Sequence, residues 1–251
     1  MEENNIKNEN EHTYDNGLHP KEVILPDDYP LYQKGFFYKL INRLIIGLFI
    51  VILFFPKAFV WGYKVNGRKN KKHLKGAVVV CNHIHPLDAF LICTSNYSKM
   101  FYVTMLQSNL GFGFISSVFR AGGAVPIPTE RKLLKRFNKE TPEILKNGSP
   151  LLIYPEAALM PYCDHIRNFL PGAFHFAVMG NGKIVPTVMT FHKPKGLYKL
   201  TRRNKPCIQY NILEPYYVKD MGNKRLTIDT ATAEVNKIMT DYFNEHSDYY
   251  K

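Results

Sequence analysis

The chain of 251 residues is long enough to bury the core of one α/β domain of ordinary size. Its formal net charge is +12, but residues 1–30 hold eight acidic residues against two lysines, so residues 31–251 carry +18. A body this basic indicates a polyanionic partner, which is nucleic acid, an anionic membrane or a phosphorylated ligand. The sequence contains no known DNA- or RNA-binding module, and we therefore expect no nucleic-acid partner.

The four cysteines show no paired spacing of the kind that zinc sites use. They are typical of buried thiols in a reducing cytosol rather than of a disulfide framework. The sequence also lacks a glycine-rich phosphate loop and a Gly-x-Ser-x-Gly turn around a nucleophilic serine. We therefore predict no metal site and no serine nucleophile of that class.

The N-terminal 28 residues are predicted to form a disordered acidic tail. Residues 1–28 are polar and rich in Asn and Glu, and they hold few apolar side chains that could be buried. The tail does not resemble a secretory signal peptide, since it is acidic and the apolar run begins far inside the chain.

Residues 29–63 are predicted to form a mostly helical segment associated with a membrane. Residues 44–55 are an unbroken apolar run, interrupted at Pro56. The run is shorter than the ~20 residues of a spanning helix, and basic residues flank it on both sides instead of one. These features favour an anchor with both ends on the cytoplasmic face, either a hairpin bent at Pro56 or a helix in the membrane plane. A buried core helix and a single marginal span are the alternatives.

Residues 64–251 alternate between apolar strands and helices, which predicts one α/β domain with a mixed, largely parallel sheet covered by helices. The predicted strands are residues 77–80, 100–105, 124–127, 151–154, 184–189 and 207–213. The predicted helices are residues 87–93, 113–119, 131–146 with an interruption near Pro142, 172–179 and 230–242.

One strand–loop–helix junction carries residues suited to proton transfer. His83 lies in the loop after the first strand, and Asp88 lies in the first turn of the helix, where the helix dipole favours a carboxylate. The loop can fold His83 back so that one ring nitrogen meets Asp88, while the other faces outward as a general base. Junctions of this kind hold ligand sites in α/β folds. A solvated His–Asp pair is the alternative interpretation of the same spacing.

The junction resembles the glycerophospholipid acyltransferase family, whose hallmark is Asn-His, four residues and Asp, here Asn82, His83 and Asp88. Weaker family blocks follow in order at residues 122–128, 154–156 and 184–186, with a Gly-Ala-Phe-His-Phe-Ala element at 172–177. The resemblance covers residues 65–189. It implies a glycerolipid-acyltransferase-like fold and transfer of a fatty acyl group from a thioester carrier to a glycerolipid hydroxyl.

The resemblance assigns His83 as the base and Asp88 as the residue that orients it. His85 is a second candidate base, which we rank lower because the family pattern leaves its position variable. It places Asn82 and Gly123 among the substrate-binding residues. Because a thioester is already activated, the reaction needs a base and oxyanion stabilisation but no covalent intermediate. The implied co-substrate is acyl-CoA or acyl carrier protein, and no further cofactor is expected.

The acceptor's phosphate needs a cation, and the sequence departs from the family where one is expected. Thr129 stands where family members often carry arginine, which leaves Arg120 or Arg131 as candidates. Glu156 matches the third block, but Ala157 and the two residues after it replace the usual polar and basic ones. We expect Arg167 to take over the phosphate contact.

The leading hypothesis is a membrane-associated enzyme of phospholipid biosynthesis on the cytoplasmic face. It would acylate the free hydroxyl of 1-acyl-sn-glycerol 3-phosphate and give phosphatidate. One alternative is an acyltransferase for another lysophospholipid or a glycolipid. A second alternative is a non-catalytic lipid-binding protein on the same fold.

Overall fold

A computed structural model describes residues 20–251. The strands are β1 (Lys64–Asn66), β2 (Val78–Cys81), β3 (Tyr102–Leu106), β4 (Ala124–Ile127), β5 (Leu151–Ile153), β6 (Lys183–His192), β7 (Cys207–Ile212) and β8 (Tyr216–Tyr217). The α-helices are α1 (Phe36–Phe55), α2 (Asp88–Ser95), α3 (Phe114–Ala121), α4 (Arg131–Lys146), α5 (Gly172–Met179), α6 (Tyr198–Arg202) and α7 (Lys224–His246).

The strands form one mixed, largely parallel sheet, as predicted. Its order is β1-β7-β6-β2-β5-β3-β4, and β8 pairs with β6. Along this path only β6 and β7 are antiparallel, and β8 is antiparallel to β6. The central strands are continuous apolar runs because both faces of a parallel sheet are covered; all four residues of β2 and all three of β5 are buried.

The register of the sheet brings two loops to the same edge. Val80 of β2 pairs with Ile153 of the parallel neighbour β5. Both strands therefore end at the same level, and the segments that follow them, beginning at Asn82 and Tyr154, leave the sheet side by side. This is the carboxyl edge, where α/β sheets bind their ligands.

Part of the predicted tail belongs to the domain. Residues 1–19 lie outside the described residues, but residues 20–28 pack against the fold, which corrects the boundary expected near residue 28. Leu25 is buried in the core, and its backbone N–H donates to Glu130 at 3.0 Å. Asp27 pairs with Lys132 at 2.7 Å. These contacts hold residues 20–28 against the domain, although their composition is polar.

The predicted anchor helix lies on the surface of the domain. Helix α1 buries Asn42, Ile46 and Leu53 and packs against α2 and α3. After Pro56 the chain continues as a π-helical turn to Val60 instead of reversing, so the bent hairpin is wrong. The side of α1 that faces away from the domain exposes most of its apolar residues, so a buried core helix is wrong as well.

Several elements differ from the prediction because tertiary packing decides them, and the short strands β1 and β8 are among those that were not predicted. Helix α4 runs through Pro142 without interruption, since Phe137 and Ile144 are buried on either side of the proline and packing outweighs one lost hydrogen bond. Helix α7 begins at residue 224, six residues before the predicted start, where the Asn223 side chain caps it by accepting two backbone N–H groups. The short helix α6 was not predicted.

Candidate active site

The predicted base and its orienting carboxylate are in contact at the carboxyl edge of the sheet. His83 follows β2 and Asp88 is the first residue of α2, and Nδ1 of His83 lies 3.1 Å from Oδ2 of Asp88. The loop between them is short, and Pro86 favours the start of a helix. The dipole of α2 then favours a carboxylate in its first turn. The predicted contact is confirmed, while its catalytic role stays a prediction.

Asp88 is fully buried, and one of its oxygens organises the loop. Besides the His83 ring, Oδ2 accepts the backbone N–H groups of Ile84 at 2.8 Å and His85 at 2.9 Å. The other oxygen, Oδ1, is buried and has no hydrogen-bond partner within residues 20–251. Three donors on one oxygen fix the path of the loop as well as the orientation of the ring.

The second ring nitrogen of His83 is available to a substrate. When Nδ1–H donates to Asp88, Nε2 carries a lone pair, and it makes no hydrogen bond to any described residue. The His83 side chain is 24% exposed, and its ring stacks on that of Tyr154 with 4.0 Å between centroids. Stacking and the hydrogen bond together hold the ring in one orientation.

Tyr154 is a site residue whose role the sequence did not predict. It follows β5 directly, beside the loop that holds His83. Burial, and then the charge of Asp88, raise the pKa of its hydroxyl well above the ordinary value. The side chain is therefore a neutral, flat support for the imidazole. The available signal was its position at the end of a strand that neighbours β2.

His85 occupies a different environment from His83. Its Nδ1 accepts the backbone N–H of Leu87 at 3.1 Å, and its ring lies between Trp61 at 5.1 Å and Tyr162 at 6.2 Å. Burial lowers the pKa of His85 below its ordinary value. No carboxylate side chain hydrogen-bonds to its ring within the described part of the chain, so His83 remains the better candidate base.

Glu156 binds the loop that carries His83. Its Oε2 accepts the backbone N–H of His83 at 3.1 Å and pairs with Nη2 of Arg167 at 2.8 Å. Its Oε1 accepts the backbone N–H of Arg167 at 3.1 Å. Both side chains are about 1% exposed. The predicted role of Arg167 in phosphate contact is therefore corrected, because its guanidinium is committed to a buried ion pair under the loop.

Asn82 and Gly123 stabilise the fold around the site. Asn82 is fully buried and clamps β6, since its Oδ1 accepts the backbone N–H of Met189 and its Nδ2 donates to the carbonyl of the same residue. Gly123 has φ of 108°, and a Cβ there would lie 2.2 Å from the carbonyl oxygen of Phe101. Both roles are structural, so the geometry does not place either residue on a substrate.

Arg120 and Arg131 have different surroundings. Arg120 is buried, and its guanidinium donates to the carbonyl oxygens of Leu31, Ala124 and Pro30. It ties the N-terminal segment to the domain, which corrects its predicted role in phosphate contact. Arg131 is exposed at the first position of α4, and its predicted contact with the acceptor stays a prediction.

Thiol and metal chemistry have little support near the base. Burial raises the pKa of Cys81 well above its ordinary value, so this neighbour of the loop is an uncharged thiol rather than a nucleophile. Among the described residues, one group could hold a metal ion, formed by the consecutive Cys163, Asp164 and His165, whose donor atoms lie within 4.8 Å of one another. Two of the three side chains, those of Asp164 and His165, are exposed.

The fold and the site define a class of enzyme. A buried aspartate orients a histidine at the carboxyl edge of a mixed sheet, and the histidine hydrogen-bonds to no serine or cysteine among the described residues. Such a pair suits direct transfer of an activated group to a substrate hydroxyl. The chain belongs to the Acyltransferase family, whose model matches residues 62–190.

One solved structure supports the same fold. The chain is similar to the 1-acyl-sn-glycerophosphate (LPA) acyltransferase PlsC from Thermotoga maritima, with 19% sequence identity and a TM-score of 0.55. The match covers 83% of this chain and 79% of that one. No curated protein matches this chain. The predicted family and the predicted glycerolipid-acyltransferase-like fold are confirmed.

Proposed function

We propose that this protein transfers a fatty acyl group from acyl-CoA or acyl carrier protein to the free hydroxyl of 1-acyl-sn-glycerol 3-phosphate, giving phosphatidate. The observation that carries the proposal is the contact between His83 and Asp88, which leaves Nε2 of a partly exposed imidazole without a partner among the described residues. The named activity of the structurally similar PlsC supports the choice of acceptor.

The geometry suits a single displacement at the thioester. His83 takes the proton of the acceptor hydroxyl through Nε2, and the oxygen attacks the thioester carbonyl. Asp88 stabilises the imidazolium that forms, because its Oδ2 already accepts from Nδ1. Collapse of the tetrahedral intermediate breaks the C–S bond, and the imidazolium of His83 returns its proton to the leaving thiolate, which releases the thiol of the carrier. The reaction as proposed uses no metal and no cofactor beyond the thioester co-substrate.

We further propose that α1 lies in the plane of the membrane, on its cytoplasmic face. The helix Phe36–Val60 is long and apolar enough to cross a bilayer by length and composition, which alone is weak evidence. One side of it, however, packs against α2 and α3, while Val51 and Phe54 on the other side are 73% and 66% exposed. A helix held along its length by the domain suits an interfacial position better than a spanning one.

A second element extends the same surface. Helix α6 packs against the π-helical turn Pro56–Val60, and the hydroxyl of Tyr198 donates to the carbonyl of Ala58 at 2.6 Å. Leu197 and Leu200 in this region are 77% and 74% exposed. Apolar side chains beside exposed cations such as Lys199 suit an anionic lipid surface. The four cysteines are free, which suits the cytoplasmic side.

The surface would deliver lipid directly to the base. Trp61 ends the π-helical turn, and its ring lies 5.1 Å from that of His85, two residues from His83. The apolar surface therefore continues to the catalytic loop. A lysolipid acceptor could reach His83 while its acyl chain stays in the membrane.

The test is transfer by the purified protein with radiolabelled acyl-CoA or acyl carrier protein and a panel of acceptors. The panel contains lysophosphatidate, other lysophospholipids, a monoacylglycerol and a glycolipid. We expect labelled phosphatidate from lysophosphatidate, and none with His83→Ala protein. Label appearing only in another acceptor would replace the proposed substrate. Absence of transfer to every acceptor would favour a lipid-binding protein.

A further inference from the structure

The residues after Glu156 leave the proposed acceptor's phosphate without a cation. Ala157 and its two successors replace the polar and basic residues of the family pattern. Arg167 is held by Glu156, and Arg120 by main-chain carbonyls. If the acceptor is a lysophosphatidate, as proposed, the positive charge must come from the exposed Arg131 or from another part of the chain.

Arg202, at the end of α6, has the properties of a preorganised anion-binding residue. It is 5% exposed, and Nε donates to the carbonyl of Pro206 at 2.7 Å, which fixes the side chain. The guanidinium carbon lies 5.9 Å from the ring centroid of Tyr162, and Nη2 reaches its hydroxyl only at 3.4 Å. Nη1 makes no hydrogen bond to any described residue. An anchored guanidinium with donors to spare suits the planar, bidentate recognition of phosphate.

Lys205 places a second cation over the same ring. Its Nζ lies 5.7 Å from the centroid of Tyr162, and its backbone N–H donates to the carbonyl of Arg202 at 2.8 Å. Neither cation pairs with a carboxylate within residues 20–251. Two positive charges near the same tyrosine ring repel each other when no counter-ion is present. A bound anion would reduce that repulsion.

Tyr162 connects this pair to the catalytic loop. Its backbone N–H donates to the carbonyl of Ile84 at 3.1 Å, and its ring meets that of His85 edge-on at 6.2 Å. The pKa of His85 is lowered first by burial and then by the positive charges of Arg202 and Lys205, which therefore act on the loop. The two cations therefore lie near His85, two residues from the proposed base, and next to the apolar surface of α6.

We infer that Arg202 and Lys205 bind the phosphate monoester group of the acceptor and take the place of the cations missing after Glu156. This inference rests on the proposed function, because it names the part of the substrate that the site recognises. The phosphates of acyl-CoA share the same chemistry, so the experiment must separate the two substrates. Arg202 supplies the fixed donors, and Lys205 closes the site from the exposed side.

The experiment compares wild type, Lys205→Ala and Lys195→Ala in neutral detergent micelles, where attraction to anionic lipid is absent. We expect Lys205→Ala to raise KM for lysophosphatidate about ten- to a hundredfold, because a hydrogen-bonded charge contact is lost. Its KM for an uncharged monoacylglycerol and for acyl-CoA should change less than about twofold. Lys195→Ala, an exposed cation of the same segment, should match wild type. Lys205→Arg should recover most of the loss.

Several outcomes would overturn the inference. An equal rise of KM for both acceptors would make Lys205 a structural residue, and a rise for acyl-CoA alone would place the cations on the donor. If wild type does not acylate lysophosphatidate, the proposed function fails, and the anion site is then tested alone with glycerol 3-phosphate. That ligand should raise the Tm of wild type and of Lys195→Ala but not of Lys205→Ala. If glycerol 3-phosphate raises the Tm of all three proteins equally, or of none of them, the inference is wrong.

Discussion

The carboxylate of Glu156 accepts the backbone N–H of His83 at 3.1 Å, through the same oxygen that pairs with Arg167 at 2.8 Å. The third sequence block thus reaches under the first and fixes the position of the residue proposed as the base. Asp88 orients the ring of His83, while Glu156 orients its main chain. Glu156 therefore positions the loop, and this role does not require polar side chains directly after it.

Arg167→Ala should destabilise the protein by about 3–5 kcal/mol, because it leaves the buried carboxylate of Glu156 without its charged partner. Urea unfolding followed by circular dichroism measures the loss. Transfer to lysophosphatidate and to an uncharged acceptor should fall in equal proportion. Arg225→Ala is the control, since that side chain is 92% exposed and its removal should cost within about 0.5 kcal/mol. If transfer to lysophosphatidate falls and transfer to the uncharged acceptor does not, Arg167 contacts the phosphate and the structural role assigned to it is wrong.

His83→Ala should reduce kcat by roughly 10²–10⁴-fold, the usual contribution of a general base, and should leave Tm nearly unchanged because the ring is partly exposed. His85→Ala is the matched control from the same loop and should lose far less. Steady-state rates at saturating acceptor, together with thermal melts, make the comparison. Wild-type turnover by folded His83→Ala protein would contradict the assignment, as would the reverse order of the two variants.

Asp88→Asn should lower kcat by up to about 10⁴-fold, as the corresponding change does in a catalytic triad. The loop geometry can survive, because the three hydrogen bonds converge on Oδ2 and the amide nitrogen can take the place of Oδ1. The change removes the charge that stabilises the imidazolium, and an amide at this position also favours the wrong tautomer of His83. Single-turnover rates separate this effect from weaker substrate binding. A loss confined to KM would mean that Asp88 only shapes the loop.

Val51→Glu with Phe54→Glu should release the protein from vesicles, because both side chains lie on the exposed side of α1. Flotation with anionic liposomes measures the bound fraction. Leu226→Glu with Ile238→Glu, on α7, adds the same charge elsewhere and should leave binding unchanged. Deleting residues 1–19 should have no effect either. If the α1 variant floats as well as wild type, α1 does not anchor the protein.

Lys57 should make stability depend on alkaline pH. Burial lowers the pKa of its amine from 10.5 to about 8, and its Nζ donates to Thr94. Between pH 8 and 10.5 the unfolded chain binds this proton and the folded protein does not, so folding becomes more favourable as pH rises through that window. Relative to Lys57→Met, wild type should therefore gain free energy of unfolding from pH 8 to pH 10. If the free energy of unfolding of wild type minus that of Lys57→Met stays constant or falls from pH 8 to pH 10, the lowered pKa of Lys57 is contradicted.

The local pattern of the sequence determines the contact between His83 and Asp88 and the strands that lead to it. His83 and Asp88 are five residues apart on one junction, so a short loop and the start of a helix suffice to join them, and no distant element is needed. The central strands are likewise predictable, because four consecutive buried apolar residues in β2 leave few alternatives to a covered parallel strand.

The partners of the arginines were decided only by the tertiary structure. Arg167 and Glu156 are eleven residues apart, and Arg120 is 89 residues from Leu31, whose carbonyl it binds, so no local periodicity reports either contact. Arg202 and Lys205 contact Tyr162, which lies against the loop of His83 and is 40 residues earlier than Arg202. Sequence spacing identifies groups that share one helix or loop. Spacing does not identify a charged side chain that comes from a distant part of the chain and lies near the loop in the folded protein. The packing of the whole sheet sets that distance.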